Sequence, residues 1–183
     1  MKVVCYGDSN TYGYDPQGWF GGRYPAGTRW VDRLAEVTGW EVMNAGMNGR
    51  SIPGRGVVLP ASVDLLIVML GSNDLLQGTS PSEAAADMEH FLGGLEVKGE
   101  HVLLVAPPPM KLGTWVPHPD LVEKSIRMAE VYRALAVRLG IRFADAGQWG
   151  VALSGDGVHF TPAGHHAFAD GLLAALTDVR CDG

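Results

Sequence analysis

The chain has 183 residues, of which 46% are hydrophobic and 19% charged, and its formal net charge is −6. This length and mixture are typical of one globular domain, and we expect residues 1–183 to form a single domain. The acidic balance argues against nucleic acid or an anionic membrane as a partner, because both bind clustered lysine and arginine.

Short apolar runs alternate with amphipathic stretches along the chain. The runs predict five strands, at residues 3–6, 41–44, 65–70, 101–106 and 141–144. Amphipathic spacing and helix start signals predict four helices, at about residues 29–38 (capped by Thr28), 80–97, 120–139 and 162–177. Strands alternating with helices predict a three-layer α/β/α sandwich with a five-stranded parallel sheet, flavodoxin-like in strand order.

Polar residues follow the ends of the predicted strands. Ser9 comes after the first strand, Gly49 after the second and Asn73 after the third, while Asp156 and His159 lie in a glycine-rich loop beyond the fifth. All carboxyl ends of a parallel sheet lie at one edge, where open α/β sheets place their ligand chemistry. We therefore expect these residues to converge.

The types of these residues match the needs of acyl transfer. Ser9 is the candidate nucleophile, which His159 can activate as general base. Asp156 can hold the second ring nitrogen of His159 and so fix its tautomer. The backbone N–H groups of Ser9 and Gly49 and the side-chain amide of Asn73 are the candidate donors of an oxyanion hole.

Each residue also has a simpler explanation when taken singly. The segment from Gly7 to Asn10 consists of residue types that favour turns, and so does Asp156 between two glycines. Gly49 can serve a positive φ angle, and His159 can stand at a helix entry without any chemistry. The arrangement of four clusters at matching positions favours a catalytic site over four independent turns.

Residues around these clusters supply further candidates. Asn10, Trp19 and His118 are predicted to line a substrate pocket, although core packing is the commoner use of an aromatic residue. Asp8 is expected to orient the loop through backbone N–H groups. Arg50 is expected to be solvated or to touch a polar substrate.

The histidines do not predict a metal site. His165 and His166 are adjacent in a predicted helix, so they face different sides of it, and with His159 they match no usual ligand spacing. We expect neither a metal nor another cofactor, since the chain also lacks a dinucleotide or P-loop glycine pattern.

Four segments resemble the sequence blocks of the GDSL, or SGNH, hydrolase superfamily. They are Gly7-Asp-Ser-Asn10, Asn44-Ala-Gly-Met-Asn-Gly49, Gly71-Ser-Asn-Asp74 and Asp156-Gly-Val-His159. They occur in the family's order across nearly the whole chain, and Asn10 replaces the usual leucine. The elbow of α/β-hydrolases, Gly-x-Ser-x-Gly, is not matched because Thr occupies position 11.

The resemblance implies a serine esterase with Ser9, Asp156 and His159 as its triad and Ser9, Gly49 and Asn73 around the oxyanion. It is strongest to the bacterial arylesterase and acyltransferase branch, which implies small acyl esters as substrates and transfer of the acyl group to alcohols as a further reaction. A carbohydrate O-acetylesterase is the nearer alternative, and a non-catalytic flavodoxin-like binding module is the more distant one.

The sequence also supports an expectation about the compartment in which such an enzyme works. The longest apolar run, residues 65–70, is far too short to span a membrane, and the N-terminus lacks the apolar core of a signal peptide. We therefore expect a cytoplasmic enzyme that acts on a small-molecule ester. Its oligomeric state is left open by the sequence, although related arylesterases form homo-oligomers.

Overall fold

The computed structural model describes residues 1–18, 22–54, 56–60 and 62–178. Within these ranges the strands are β1 (Lys2–Gly7), β2 (Glu41–Gly46), β3 (Leu65–Met69), β4 (Val102–Ala106) and β5 (Arg142–Asp145). The helices of the same ranges are α1 (Ser9–Tyr12), α2 (Trp30–Thr38), α3 (Ser72–Leu76), α4 (Pro81–Gly93), α5 (Pro119–Leu139) and α6 (Pro162–Asp178). None of these helices is long and apolar enough to cross a membrane.

The strands form one parallel sheet in the order β2-β1-β3-β4-β5. This is the flavodoxin-like order, so the predicted fold class is confirmed. Successive side chains of a strand point to opposite faces, and Val4 and Cys5 accordingly belong to different apolar clusters. Helices α4 and α5 cover one face and α2 and α6 the other, which buries β3 and β4 on both faces.

Two short helices lie where the sequence predicted only turns and loop. Helices α1 and α3 follow β1 and β3 directly, and each has too few residues to show a helical repeat in its sequence. The predicted Thr28 cap is wrong, since α2 begins at Trp30 with Arg29 as its N-cap residue. Helix α4 ends at Gly93, short of the predicted position 97, and a capping box of Ser80 and Glu83 starts it.

Candidate active site

Ser9 is the first residue of α1, which leaves the end of β1 after a single residue, Asp8. The Asp8 carboxylate caps this helix by accepting the backbone N–H of Asn10 at 2.9 Å. Gly46 at the end of β2 lets the helix lie directly on the sheet, because a Cβ atom there would stand 2.1 Å from the Tyr12 nitrogen. These close contacts hold Ser9 at the carboxyl edge of the sheet.

A continuous chain of hydrogen-bonding distances joins the three residues of the predicted triad. Oγ of Ser9 lies 3.0 Å from Nε2 of His159, and Nδ1 of the same ring lies 2.8 Å from Oδ2 of Asp156. The second carboxylate oxygen, Oδ1, accepts the backbone N–H groups of Val158 and His159 at 2.8 and 2.9 Å. Residues 150 positions apart therefore meet as the sequence pattern predicted.

The surroundings of Asp156 favour its ionised form. Partial burial by itself would raise the pKa of this carboxyl group, but the hydrogen bonds from backbone N–H groups and from the His159 ring outweigh it and hold the pKa below its usual value. An ionised Asp156 accepts a proton-bearing Nδ1, so Nε2 is left as the acceptor for the Ser9 hydroxyl. The arrangement can thus remove a proton from Ser9.

Gly49 and Asn73 bring polar N–H groups to the same place. Gly49 has a φ angle of +71°, a left-handed conformation that favours glycine, and none of the described residues accepts its N–H. Asn73 stands in the first turn of α3, and its Nδ2 donates one hydrogen to the carbonyl of Arg50 at 3.0 Å. A carboxamide nitrogen carries a second hydrogen, which remains for a ligand.

These groups surround a cavity of about 150 Å³. Its lining residues are Ser9, Tyr14, Asn48, Gly49, Asn73, Trp115 and His159. The rings of Tyr14 and Trp115 stand against the His159 ring, with centroids 4.6 and 5.0 Å away. The loop of Trp115 is attached to the loop of the triad, since the Trp115 N–H donates to the Asp156 carbonyl at 3.0 Å.

Two of the three predicted pocket residues, Asn10 and His118, do not line this cavity. Asn10 does not line the cavity, because its side chain is buried behind Ser9 and hydrogen-bonded to the backbone of the His159 loop. His118 does not line it either, since it is exposed and immediately precedes α5. Trp19 lies outside the described residues.

Tyr14 is a lining residue that the sequence did not single out. It lies five positions after Ser9, between the first predicted strand and the first predicted helix, and its contact with the His159 ring depends on the turn at the end of α1. Proximity to the nucleophile was the one available signal. Trp115 forms another wall of the cavity.

Arg50 has a structural position rather than the solvated one expected. Its guanidinium donates to the carbonyl of Gly7 at 3.0 Å and to the carbonyl of Ala45, and it lies 4.2 Å over the centre of the Tyr6 ring. Arg50 therefore ties the carboxyl ends of β1 and β2 together, while its own carbonyl orients Asn73.

A buried acid lies beneath the site. The pKa of Asp8 is raised to about 7, mainly by burial and also by the negative charge of Asp74, against the lowering effects of the Asn10 N–H and the Arg50 charge. Asp8 orients the α1 backbone, as predicted from the sequence. Among the described residues no group of three or more His, Cys, Asp or Glu side chains is placed to hold a metal ion.

Comparison with known proteins agrees with the geometry. Residues 5–167 match the model of the GDSL-like lipase/acylhydrolase family. The chain belongs to this family. Comparison with curated proteins gives no match.

Solved structures extend the comparison. A carbohydrate acetylesterase family member from Sinorhizobium meliloti is 28% identical with a TM-score of 0.81, and the match covers 96% of each chain. The aryl esterase of M. smegmatis is 28% identical with a TM-score of 0.77, covering 97% of this chain and 98% of that one. A protein of Agrobacterium tumefaciens inferred to be an arylesterase is 32% identical with a TM-score of 0.80, covering 97% and 98%. Family and neighbours together support a carboxylic ester hydrolase.

Proposed function

We propose that this GDSL-family enzyme is a serine esterase that hydrolyses small acyl esters through Ser9, His159 and Asp156. Ser9 Oγ attacks the ester carbonyl while its proton passes to Nε2 of His159. Collapse of the tetrahedral intermediate breaks the bond to the alcohol, which takes that proton and leaves an acyl group on Ser9. A water molecule, deprotonated by His159, then releases the acid and restores the serine.

The observation that carries this proposal is the hydrogen-bonded chain from Ser9 to Asp156, at 3.0 and 2.8 Å. The same small cavity is lined by Ser9, Gly49 and Asn73, whose N–H groups are the proposed oxyanion donors. Negative charge develops on the carbonyl oxygen in the transition state, and fixed donors stabilise it there at little cost in reorganisation.

The size of the cavity favours a short acyl group. Its volume of about 150 Å³ is small beside the ~300–1,000 Å³ of typical sites for drug-sized ligands. Trp115 and Tyr14 form two of its walls, and the side chain of Trp115 is half exposed at the mouth. We therefore expect acetyl esters to be the better substrates and long acyl chains to be excluded.

The nucleophile is tested by the variant Ser9→Ala. It should lose hydrolysis of p-nitrophenyl acetate and covalent labelling by a fluorophosphonate, while its melting temperature stays close to that of the parent enzyme. Retention of either activity would show that another residue attacks the ester. A non-catalytic binding module predicts no labelling of the parent enzyme at all.

The acyl-length preference is tested at Trp115. Trp115→Ala should raise the rate with p-nitrophenyl butyrate relative to acetate, because it removes one wall of the cavity. Leu112→Ala is the matched control, since Leu112 is exposed on the same loop and does not line the cavity. Equal acetate-to-butyrate ratios in the parent and the Trp115 variant would contradict a cavity that limits acyl size.

A carbohydrate O-acetylesterase is the second candidate, favoured by the likeness to the Sinorhizobium meliloti carbohydrate acetylesterase family member. Deacetylation of sugars uses the same triad and oxyanion donors, so the two candidates differ only in the alcohol that leaves. Values of kcat/KM for acetylated sugars against phenyl acetate distinguish them. Adding a primary alcohol to the assay measures the third possibility, acyl transfer, as formation of a new ester.

A further inference from the structure

Asn10 is bonded to the loop of the catalytic base on both sides of His159. Its Nδ2 donates to the carbonyl of Val158 at 3.1 Å, and its Oδ1 accepts the N–H of Phe160 at 2.9 Å. The two bonds therefore enclose the one residue whose ring must face Ser9. All of these groups are buried.

Asn10 is itself held firmly in α1. Its N–H donates to Oδ1 of Asp8 at 2.9 Å, and its carbonyl accepts the indole N–H of Trp30 at 3.0 Å. A carboxamide offers a donor and an acceptor side by side, which matches the carbonyl and the N–H that the loop presents. The leucine that is usual at this position in the family could form neither bond.

Apart from its bond to Ser9 itself, the polar bonds of His159 come from Asp156 and from the N–H of Ser154, and they leave its distance from Ser9 undetermined. Those formed by Asp156 lie within the same loop, only three residues away, so they orient the ring but cannot attach the loop to α1. Among the described residues, the hydrogen bonds from α1 to the backbone of this loop come from Asn10, which is adjacent to the nucleophile in sequence. A displacement of about 1 Å between reacting groups can cost 10²-fold in rate.

We propose that Asn10 is a positioning residue that fixes the catalytic base opposite the nucleophile by clamping the backbone on both sides of His159. This inference rests on the proposed roles of Ser9 and His159. It assigns to Asn10 a purely geometric part in the reaction, since the side chain has no contact with the cavity.

The test compares Asn10→Leu and Asn10→Asp with the parent enzyme. A fluorophosphonate titrates the reactive serine, and kcat for p-nitrophenyl acetate is then expressed per titrated site. Asn10→Leu should lower kcat per site by about 10²-fold. KM should stay within about twofold, because substrate binding is not touched. Asn10→Asp retains the acceptor for Phe160 but loses the donor to Val158, so a smaller loss is expected.

Thr11→Val is the matched control in the same short helix. The Thr11 hydroxyl is buried and has no hydrogen-bonding partner among the described residues, and valine has the same shape. Its turnover per site should equal that of the parent. Should Asn10→Leu fail to fold, the nearly isosteric Asn10→Asp decides the question.

The outcomes separate a clamp from a residue that merely supports folding. A structural role lowers the melting temperature and the number of titrated sites but leaves kcat per site unchanged, and that result overturns the clamp. An effect confined to KM overturns it as well. Hydrolysis by Ser9→Ala would contradict the proposed function. If Ser9→Ala is inactive and the Asn10 variants are fully active, the clamp alone is overturned.

Discussion

Burial of the His165 imidazole disfavours its protonated form. The free energy of unfolding should therefore fall at acid pH. The side chain lies on α6 with no exposed surface, between the rings of Tyr24 and Phe160 at centroid distances of 5.4 and 5.3 Å. Neither ring nitrogen has a hydrogen-bonding partner among the described residues. The pKa of His165 is lowered to about 3, mainly by burial and also by the positive charges of His166 and Arg29.

The sign and size of the effect follow from proton linkage. An unfolded histidine takes up its proton near pH 6.5, whereas folded His165 remains neutral until about pH 3, so acidification favours the unfolded chain between these values. The loss of unfolding free energy is about 1.4 kcal/mol per pH unit, which gives about 2 kcal/mol at pH 5. His165→Phe keeps an aromatic ring and cannot be protonated, so it should escape this loss.

The assay is urea unfolding of the parent and of His165→Phe at pH 7, 6 and 5 and constant ionic strength. The unfolding free energy of His165→Phe minus that of the parent should increase by about 2 kcal/mol from pH 7 to pH 5. His166→Phe is the control, because it replaces an exposed histidine at the next position. A difference between His165→Phe and the parent that does not change with pH would refute a buried neutral imidazole.

Three other predictions concern the catalytic edge. Asn73→Ala should lower kcat by about 10²–10³-fold through loss of an oxyanion donor, with the melting temperature as the check on folding. Burial raises the pKa of Asp8 to about 7, so the parent loses unfolding free energy as the pH rises from about 4 to 7. Asp8→Asn lacks this carboxyl group, and urea unfolding should show its stability relative to the parent increasing over that range. Gly46→Ala should lower both activity and melting temperature, because its Cβ would meet the Tyr12 backbone, whereas Gly54→Ala, with open space around it, should change neither.

The sheet was predictable because its physics is local and periodic. Residues 65–70 are uniformly apolar, and such a run is typical of a strand covered on both faces. The predicted helix ends at positions 38 and 139 are correct, because Gly39 and Gly140 follow them in a left-handed conformation that ends a helix. The short helices α1 and α3 were missed, because four or five residues carry no periodic signal and depend on tertiary capping and packing.

Some residues of the site could likewise be predicted from the sequence, and others could not. Convergence of Ser9, Asn73 and His159 could be predicted, because parallel strands fix where their carboxyl ends lie. The position of Asn10 could not, since its partners are backbone groups at residues 158 and 160, and a backbone group leaves no mark in a sequence. The same reasoning applies to Arg50, whose partners are the carbonyls of Gly7 and Ala45.

Ser9, Gly49 and Asn73 are each followed by a polar residue that ties them to another part of the chain. Asn10, beside the nucleophile, bonds the loop of the base, and Arg50, beside Gly49, bonds the end of β1. Asp74, beside Asn73, accepts the N–H of Ile52 in the loop that follows Gly49. Chemistry at the edge of a parallel sheet requires groups on four separate segments to keep distances near 3 Å, and apolar packing alone does not fix such distances. These cross-ties give a physical reason for the polar residues that directly follow Ser9, Gly49 and Asn73.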